Sequence, residues 1–321
     1  MSSTSWEYIV VAVRDPGARR QIAIRKAARI AAHCGARITL FHAFSTPTPA
    51  PEMAATDANE ILKMVTSQRR EQLMKLARPL RAQGIEVKCD VVWDFPAAHA
   101  IVREVLKSKP DLVVAESHRH SRVARWFLAN SDWDLIRECP CPVWFVKHER
   151  LSKKSLILTA VDPTHARAKP SGLDDRLLQA AKSVRGQLGG RLALAHVMDS
   201  ARFEPARLPG LRTKTRSQKS DPIASVTMDA VTRLAKRYDI AEADRLVRAG
   251  VPAEVLISSA AECNADLLVM GAVSRSGLSH VHIGSTAEAV IDGVACDVLI
   301  VKPRQFKTTV PRKGPKLPGA R

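Results

Sequence analysis

The chain repeats its own sequence at an offset close to 155 residues, and this duplication limits the folds open to it. The matching pairs are 11–16 with 158–163, 41–42 with 195–196, 111–115 with 266–270, and 141–147 with 296–302. Because the pairs keep one order while the offset changes only slightly, the pattern predicts a duplicated domain with loop insertions. The length of 321 residues suits two domains of about 150 residues each.

Short apolar runs alternate with helical patterns in both halves. The runs are 7–13, 37–43, 85–92, 111–115 and 142–147, then 155–161, 191–197, 244–249, 266–270 and 297–302. The helical patterns are 17–34, 52–82, 96–108 and 131–138, then 172–188, 222–239, 252–263 and 285–292. Strands that are apolar on both faces and separated by helices indicate a parallel sheet covered on both sides. The sequence therefore predicts an α/β fold of two tandem, five-stranded, Rossmann-like domains.

The predicted boundaries follow from composition. The N-terminal domain spans 1–150, the C-terminal domain spans 151–303, and a flexible basic tail spans 304–321. Of the net charge of +18, the tail carries six basic and no acidic residues, and the predicted loop 201–221 carries six basic and two acidic residues. Such segments attract nucleic acid or anionic lipid, although a solvated loop and tail is the favoured interpretation. Aromatic residues make up only 4% of the chain, which disfavours specific single-strand recognition.

Several other classes are excluded or disfavoured. No apolar run approaches the ~18 residues of a membrane span, and the start lacks a secretory pattern. Six cysteines without a CxxC pair indicate reduced thiols and a cytoplasmic protein. Cys141 and Cys296 begin the fifth apolar run of each half, so we expect them to be buried and inert.

Metal binding and catalysis receive little support from the sequence. The pairs His118 with His120 and His280 with His282 lack an obvious third ligand, so we expect no metal site. His42 and His196 stand at matching strand ends, where a structural hydrogen bond is expected. Because no nucleophile–base motif is present, the sequence predicts that the protein is not an enzyme.

The loop after the fourth run of the second half, residues 271–284, leads into a predicted helix. Ser285 and Glu288 fit the S-x-x-E capping box, so a helix should begin there. Gly284 permits close approach of a ligand, and the amides and hydroxyls of Ser285 and Thr286 suit a phosphate at a helix N-terminus. The alternative is a glycine turn before a well-capped helix, with no ligand.

These residues resemble the nucleotide motif of the universal stress protein family, specifically its tandem-domain, UspE-like branch. The family motif is Gly, two residues, Gly, nine residues, Gly, then Ser or Thr. Gly271, Gly284 and Ser285 keep that spacing, whereas Ser274 replaces the second glycine. If that position needs a positive φ, serine strains it.

The resemblance extends over residues 5–303 and implies a ligand. It implies ATP or another adenine nucleotide in the C-terminal half only, with no metal required. The implied contacts are Asp162, Val197, Met270, Gly271, Ser274, Gly284, Ser285 and Thr286. Asp162 would be the acidic position that contacts adenosine, and Val197 the position whose backbone meets adenine.

The first half departs from the motif. At the offset of 155, Glu116, Arg119, Ala129 and Asn130 replace Gly271, Ser274, Gly284 and Ser285, respectively. A carboxylate and two missing glycines oppose a triphosphate, so we predict that this half is degenerate as an ATP site.

The resemblance also implies function and assembly. It implies a cytoplasmic regulatory or binding module in stress resistance that acts through unknown protein partners. The two halves would pair through their fifth strands as a pseudo-dimer, and a homodimer is also compatible with the sequence. The alternatives are a carrier of a small-molecule or lipid-like ligand, or a nucleic-acid-associated protein that uses 201–221 and 304–321.

Overall fold

The structure is a computed structural model, and it describes residues 6–45, 55–117, 131–149, 154–165, 172–199, 222–272 and 285–315. The strands are β1 Tyr8–Ala12, β2 Arg37–Phe44, β3 Val87–Trp93, β4 Leu112–Glu116, β5 Val143–Val146, β6 Leu156–Val161, β7 Arg191–Asp199, β8 Arg245–Gly250, β9 Leu267–Gly271 and β10 Asp297–Val301. The α-helices are α1 Ile22–Cys34, α2 Ala55–Ala82, α3 Ala97–Ser108, α4 Ser131–Glu138, α5 Leu173–Leu188, α6 Pro222–Arg237, α7 Pro252–Glu262 and α8 Ser285–Gly293.

The strands form one ten-stranded sheet in the order β3-β2-β1-β4-β5-β10-β9-β6-β7-β8. Within each half every strand pairs parallel to its neighbour, whereas β5 and β10 pair antiparallel, with Leu299 opposite Trp144. This confirms the predicted α/β fold of two tandem parallel-sheet units. The fifth strands pair inside the chain, so the two halves form an internal pseudo-dimer.

The sheet is buried on both faces, as its apolar strands require. Along β1, Ile9 and Val11 pack on one face with α1, α2, α5 and α6, whereas Val10 packs on the other with α3, α4, α7 and α8. We call the second layer the α3/α4/α7/α8 face. Because β5 pairs antiparallel with β10, the strands of the two halves run in opposite directions. The carboxyl ends of the strands in one half therefore lie at the same edge of the sheet as the amino ends of the strands in the other half.

A buried carboxylate joins the two halves. Asp297, at the start of β10, is 1% exposed. Its Oδ2 accepts the Trp144 indole N–H at 3.0 Å and lies 2.9 Å from the Lys26 Nζ, while its Oδ1 accepts the backbone N–H groups of Lys147 at 2.8 Å and His148 at 3.0 Å. All four donors belong to the first half. The carboxylate is therefore satisfied only when β5, β10 and α1 are together.

Lys26 is buried because it lies in the apolar stripe of α1. It is spaced four residues from both Ile22 and Ile30, and its side chain is fully buried. Burial lowers the pKa of Lys26, and the nearby Asp297 carboxylate opposes that shift. At the offset of 155 the counterpart of Asp297 is Pro142, which cannot supply a second carboxylate.

The lysines that follow β5 and β10, Lys147 and Lys302, occupy equivalent positions, and each contacts the other half. Lys147 follows β5 and donates from its Nζ to the backbone carbonyls of Ile291 and Val294 at the end of α8. Lys302 follows β10, and its Nζ donates to the Arg137 carbonyl near the end of α4 at 3.4 Å. Each ammonium thus supplies a donor to carbonyls that a helix C-terminus leaves unsatisfied.

Residues 303–315, the C-terminal segment, pack against the first half rather than extending into solvent as a flexible tail. Glu138, at the end of α4, accepts the Thr308 hydroxyl, the Thr309 hydroxyl and the Thr309 backbone N–H, each at 2.8 Å. Burial alone would raise the pKa of Glu138, but these hydrogen bonds outweigh it, so its pKa lies below the ordinary value.

The same segment continues across the α3/α4/α7/α8 face. The Lys302 Nζ lies 4.4 Å from the centre of the Phe306 ring, and Val310 is 6% exposed in the core of that face. Further on, a Cβ at Gly314 would lie 3.1 Å from an oxygen of Asp94, so the two residues are in close contact. The basic composition of 304–321, which predicts a flexible tail, gives no sign of these contacts. Residues 316–321 lie outside the described ranges.

Replacing Asp297 with alanine should cost about 3–5 kcal/mol of unfolding free energy, because it leaves the Lys26 charge and three N–H donors buried without their acceptor. Urea denaturation followed by circular dichroism measures the loss. Asp229→Ala, at an exposed position of α6, is the control and should stay within about 0.5 kcal/mol of the parent. A loss below 1 kcal/mol (about the size expected for a surface pair) for Asp297→Ala contradicts the role of this carboxylate.

Glu138→Ala should release the C-terminal segment. Hydrogen–deuterium exchange of the peptide 304–315, measured by mass spectrometry, should become at least tenfold faster, while exchange in β10 stays unchanged. Glu71→Ala, on the exposed side of α2, is the control. Because the pKa of Glu138 is lowered, its stabilisation is complete above the ordinary value of about 4.3 and is lost as pH falls through the lowered value. Unchanged exchange in Glu138→Ala would show that the hydrogen bonds to Glu138 do not hold the C-terminal segment in place.

Candidate functional site

The strand register brings the predicted nucleotide contacts of the second half to one edge of the sheet. Val161 pairs with His196, and Thr159 pairs with Val269, so Gly271 ends β9 level with the end of β6. Asp162 and Val197 each follow by one residue on neighbouring strands. These residues lie at the carboxyl edge of the second half, where ligands of parallel α/β sheets bind.

The start of α8 lies at the same edge. In this parallel arrangement, a helix that connects β9 to β10 runs back antiparallel to the strands, so its N-terminus faces the carboxyl edge. The helix begins at Ser285, as the capping box predicts, and Thr286 in its first turn is half-buried. Met270 is buried beside Gly271 at the end of β9. Ser274 and Gly284 lie outside the described residues, as do His280 and His282.

Asp162 is held by its neighbours. Its backbone N–H donates to the Asp174 carboxylate in the first turn of α5 at 3.1 Å, and its Oδ1 accepts the Thr164 hydroxyl at 3.3 Å. His196 Nδ1 lies 3.0 Å from the Val161 carbonyl and 4.0 Å from the same Oδ1. Because a carbonyl only accepts, Nδ1 carries a proton. The Asp162 side chain is 18% exposed, which leaves it accessible to a ligand.

Gly271 is required by packing as well as by the family motif. A Cβ at this position would lie 3.0 Å from a methyl of Leu173, the first residue of α5, which is 4% exposed. The backbone of Gly271 is not in the left-handed region, so the missing side chain, rather than a positive φ, matters there. A side chain here would require the Leu173 side chain at the start of α5 to shift.

Lys302 connects this edge to the first half. Its side chain is 1% exposed, and its Nζ donates to the backbone carbonyl of Ala272, at the start of the motif loop, at 2.8 Å. The same Nζ reaches the Arg137 carbonyl of α4. Burial lowers the pKa of Lys302 to about 8. Sequence reasoning missed this residue, although Val-Lys at the end of both halves, 146–147 and 301–302, was the available signal.

The first half has a different set of groups at its carboxyl edge. The Val13 carbonyl lies 2.8 Å from His42 Nδ1, which matches the Val161–His196 contact and makes Arg14 the counterpart of Asp162. The sequence offset of 147 paired Asp15 with Asp162 instead, so the true strand offset is one residue larger. Both histidines therefore make the predicted structural hydrogen bond.

A cavity of about 90 Å³ lies at this edge of the first half. Its charged lining residues are Arg14, Glu116 at the end of β4 and Asp132 in the first turn of α4. The rest of the lining is Ala12, Val13, Phe41, Ala43, Ala97, Ile101, Ala115 and Leu135. Pockets for drug-sized ligands span roughly 300–1,000 Å³. This cavity is smaller than that range, and two carboxylates and one arginine line it. Arg119, Ala129 and Asn130 lie outside the described residues.

Other sequence expectations concern thiols, metals and membranes. Cys141 and Cys296 are buried as predicted, and burial raises the pKa of Cys296 to about 12. In the described ranges no three metal-ligating side chains cluster, and no helix is long and apolar enough to cross a membrane. His118, His120 and the basic loop 201–221 lie outside those ranges.

Comparisons with known proteins agree with this organisation. The sequence model of the universal stress protein family matches residues 6–147 and 157–302. Universal stress protein E of Photorhabdus laumondii is 28% identical over 308 residues, which cover 94% of this chain and 96% of that protein. Universal stress protein E of Escherichia coli K12 is 28% identical over 304 residues, with the same coverage.

Solved structures show the same fold. A functionally unknown protein from Pseudomonas aeruginosa PAO1 superposes with a TM-score of 0.69 at 22% identity, over 94% of both chains. A universal stress protein from Archaeoglobus fulgidus gives a TM-score of 0.63 at 19% identity, over 92% of this chain and 96% of that one.

Lys302→Met should give a variant whose stability relative to the parent changes with pH. Because the folded pKa of Lys302 is about 8 against an ordinary 10.5, the parent gains stability relative to the variant as pH rises from 8 to 10.5, by about 3 kcal/mol. Urea denaturation at several pH values measures this difference. Lys307→Met removes an exposed lysine of the same segment and controls for net charge. A difference that does not change over this pH interval contradicts the buried ammonium.

Proposed function

The chain belongs to the universal stress protein family as a tandem, two-domain member, and from this premise we propose that it is a cytoplasmic, non-enzymatic binding module. Its C-terminal half holds ATP or another adenine nucleotide, and the complex acts in stress resistance through protein partners. The proposal rests on one observation: Asp162, Val197 and Gly271 lie together at one edge of the sheet, beside the N-terminus of α8.

Each part of this edge suits one part of the nucleotide. Val197 is half-buried at this edge, and its backbone would meet adenine. The Asp162 carboxylate accepts hydrogen bonds from ribose hydroxyls, and its backbone is already fixed by Asp174. The Thr286 hydroxyl and the free N–H groups at the start of α8 suit phosphate oxygens, because a helix N-terminus carries partial positive charge.

The groups at this edge favour binding over catalysis. His196 uses its Nδ1 proton on the Val161 carbonyl, which orients the ring for structure. Near this edge the Cys139 thiol is buried, and burial raises its pKa to about 12, so it is a poor nucleophile. We therefore expect bound ATP to be hydrolysed slowly at most.

The first half takes a different role in the proposal. Glu116 and Asp132 line the cavity at its carboxyl edge and would repel phosphate oxygens, so in this proposal the first half binds no nucleotide. Pairing of β5 with β10 keeps it rigidly attached to the half that does bind.

Equilibrium dialysis with labelled ATP tests the site. We expect saturable binding to the parent and a loss of roughly 10–100-fold in affinity for Asp162→Ala, the size of one hydrogen bond to a charged group. Asp15→Ala, in the first half, is the matched control and should bind as the parent does. Gly284→Asp should abolish binding, since it puts a carboxylate into the motif loop. No binding at millimolar ATP refutes the proposal, as does equal weakening by Asp162→Ala and Asp15→Ala.

A further inference from the structure

The C-terminal segment completes a ligand-sized cavity on the first half that is separate from the proposed nucleotide site. The cavity has a volume of about 400 Å³, within the range of small-molecule sites. It is lined by Phe41, Val92, Asp94, Ala100, Arg103, Glu104, Leu106, Lys107 and Arg312. Eight of these nine residues come from the first half, and only Arg312 comes from the C-terminal segment. The cavity therefore exists in this form only when that segment is in place.

The segment is held on one side of the cavity and passes close to the first half on the other. On one side, Glu138 binds the Thr308 and Thr309 hydroxyls, and Val310 is buried in the core. On the other side, Gly314 passes close to Asp94, which follows β3, since a Cβ at Gly314 would lie 3.1 Å from a carboxylate oxygen of Asp94. Residue 312 lies between these two points, so its backbone runs close to the first half while the exposed Arg312 side chain lines the cavity.

The apolar part of the lining suits a hydrocarbon body. Phe41 and Ala100, each 2% exposed, form the packed base of the cavity, and the half-buried side chains of Val92 on β3 and Leu106 on α3 leave apolar surface open to a ligand. Burying such a surface under a ligand is favourable, at about 25 cal/mol per Å² of apolar area.

The charged part of the lining suits an anionic head. Arg103 and Asp94 neutralise each other, because the Arg103 Nε donates to an Asp94 oxygen at 2.8 Å and the pair is nearly buried. Glu104 is paired with Lys107 at 3.6 Å. The lining holds three cationic side chains and two carboxylates, so its net charge is +1. The unpaired cation is Arg312, which forms no ion pair in the described part of the chain.

From this arrangement we propose that the cavity binds a small organic carboxylate with an apolar body, such as a medium-chain fatty acid. The alkyl chain lies on Val92 and Leu106, and the carboxylate pairs with the Arg312 guanidinium, a geometry that allows two parallel N–H···O bonds. Occupancy thus stabilises the segment on the first half, since the ligand contacts both.

Decanoate is the probe, and isothermal titration calorimetry of the full chain is the measurement. We expect one saturable site per chain. Arg312→Glu should weaken decanoate binding at least tenfold, whereas Lys313→Glu, which makes the same change in net charge on the adjacent exposed residue, should bind decanoate as the parent does. Arg312→Lys should bind with intermediate affinity. Circular dichroism of each variant checks that the fold is kept.

Binding of decanol, and binding of decanoate to the variant Leu106→Asp, complete the test. Decanol should bind the parent more weakly than decanoate and should not distinguish Arg312→Glu from the parent, because it lacks the charge. Leu106→Asp, which puts a carboxylate into the apolar surface, should abolish decanoate binding. The proposal is overturned by an absence of saturable decanoate binding to the parent, by equal weakening in Arg312→Glu and Lys313→Glu, or by Arg312→Glu binding decanoate as tightly as the parent. ATP binding in the second half is measured separately and does not bear on these outcomes.

Discussion

The hydrogen-bonded ion pair between Asp297 and Lys26 is the interaction on which the assembly of the two halves depends. A carboxylate buried to 1% exposure is stable only when its charge is neutralised and its oxygens are hydrogen-bonded. Here all of those partners come from the other half, more than 100 residues away in sequence. The pair therefore stabilises one register of β5 on β10, and that register fixes how the remaining strands, helices and edges of the two halves are related.

Antiparallel pairing of β5 with β10 has a consequence for communication between the halves. The carboxyl edge of the second half lies on the same side as the C-terminus of α4, and Lys302 bridges the two by donating to the Ala272 and Arg137 carbonyls. The chain then leaves β10 at this side and crosses the α3/α4/α7/α8 face toward Asp94. One lysine and the segment that follows it thus link the start of the motif loop to the surface of the first half.

Much of the fold and part of the site could be predicted from local sequence patterns. The apolar runs and helical patterns match the strands and helices closely, because alternation and helical periodicity act over a few residues. The convergence of Asp162 and Gly271 at one edge follows from parallel strands. Arg14 could not be identified as the counterpart of Asp162, because a one-residue difference in the following loop shifts the sequence offset but not the strand register.

The sequence by itself determined two copies of one α/β unit, the order of their elements, and a motif loop present in one copy and altered in the other. Only the tertiary structure decided that Lys26 is buried, that Lys302 bridges the halves, and that the basic C-terminal segment packs on the first half. The reason is physical. Lys26 is buried because it pairs with Asp297, Lys302 contacts the Arg137 carbonyl, and the C-terminal segment packs because Thr309 bonds to Glu138. In each case the partner lies more than 150 residues away in sequence, where local patterns carry no information.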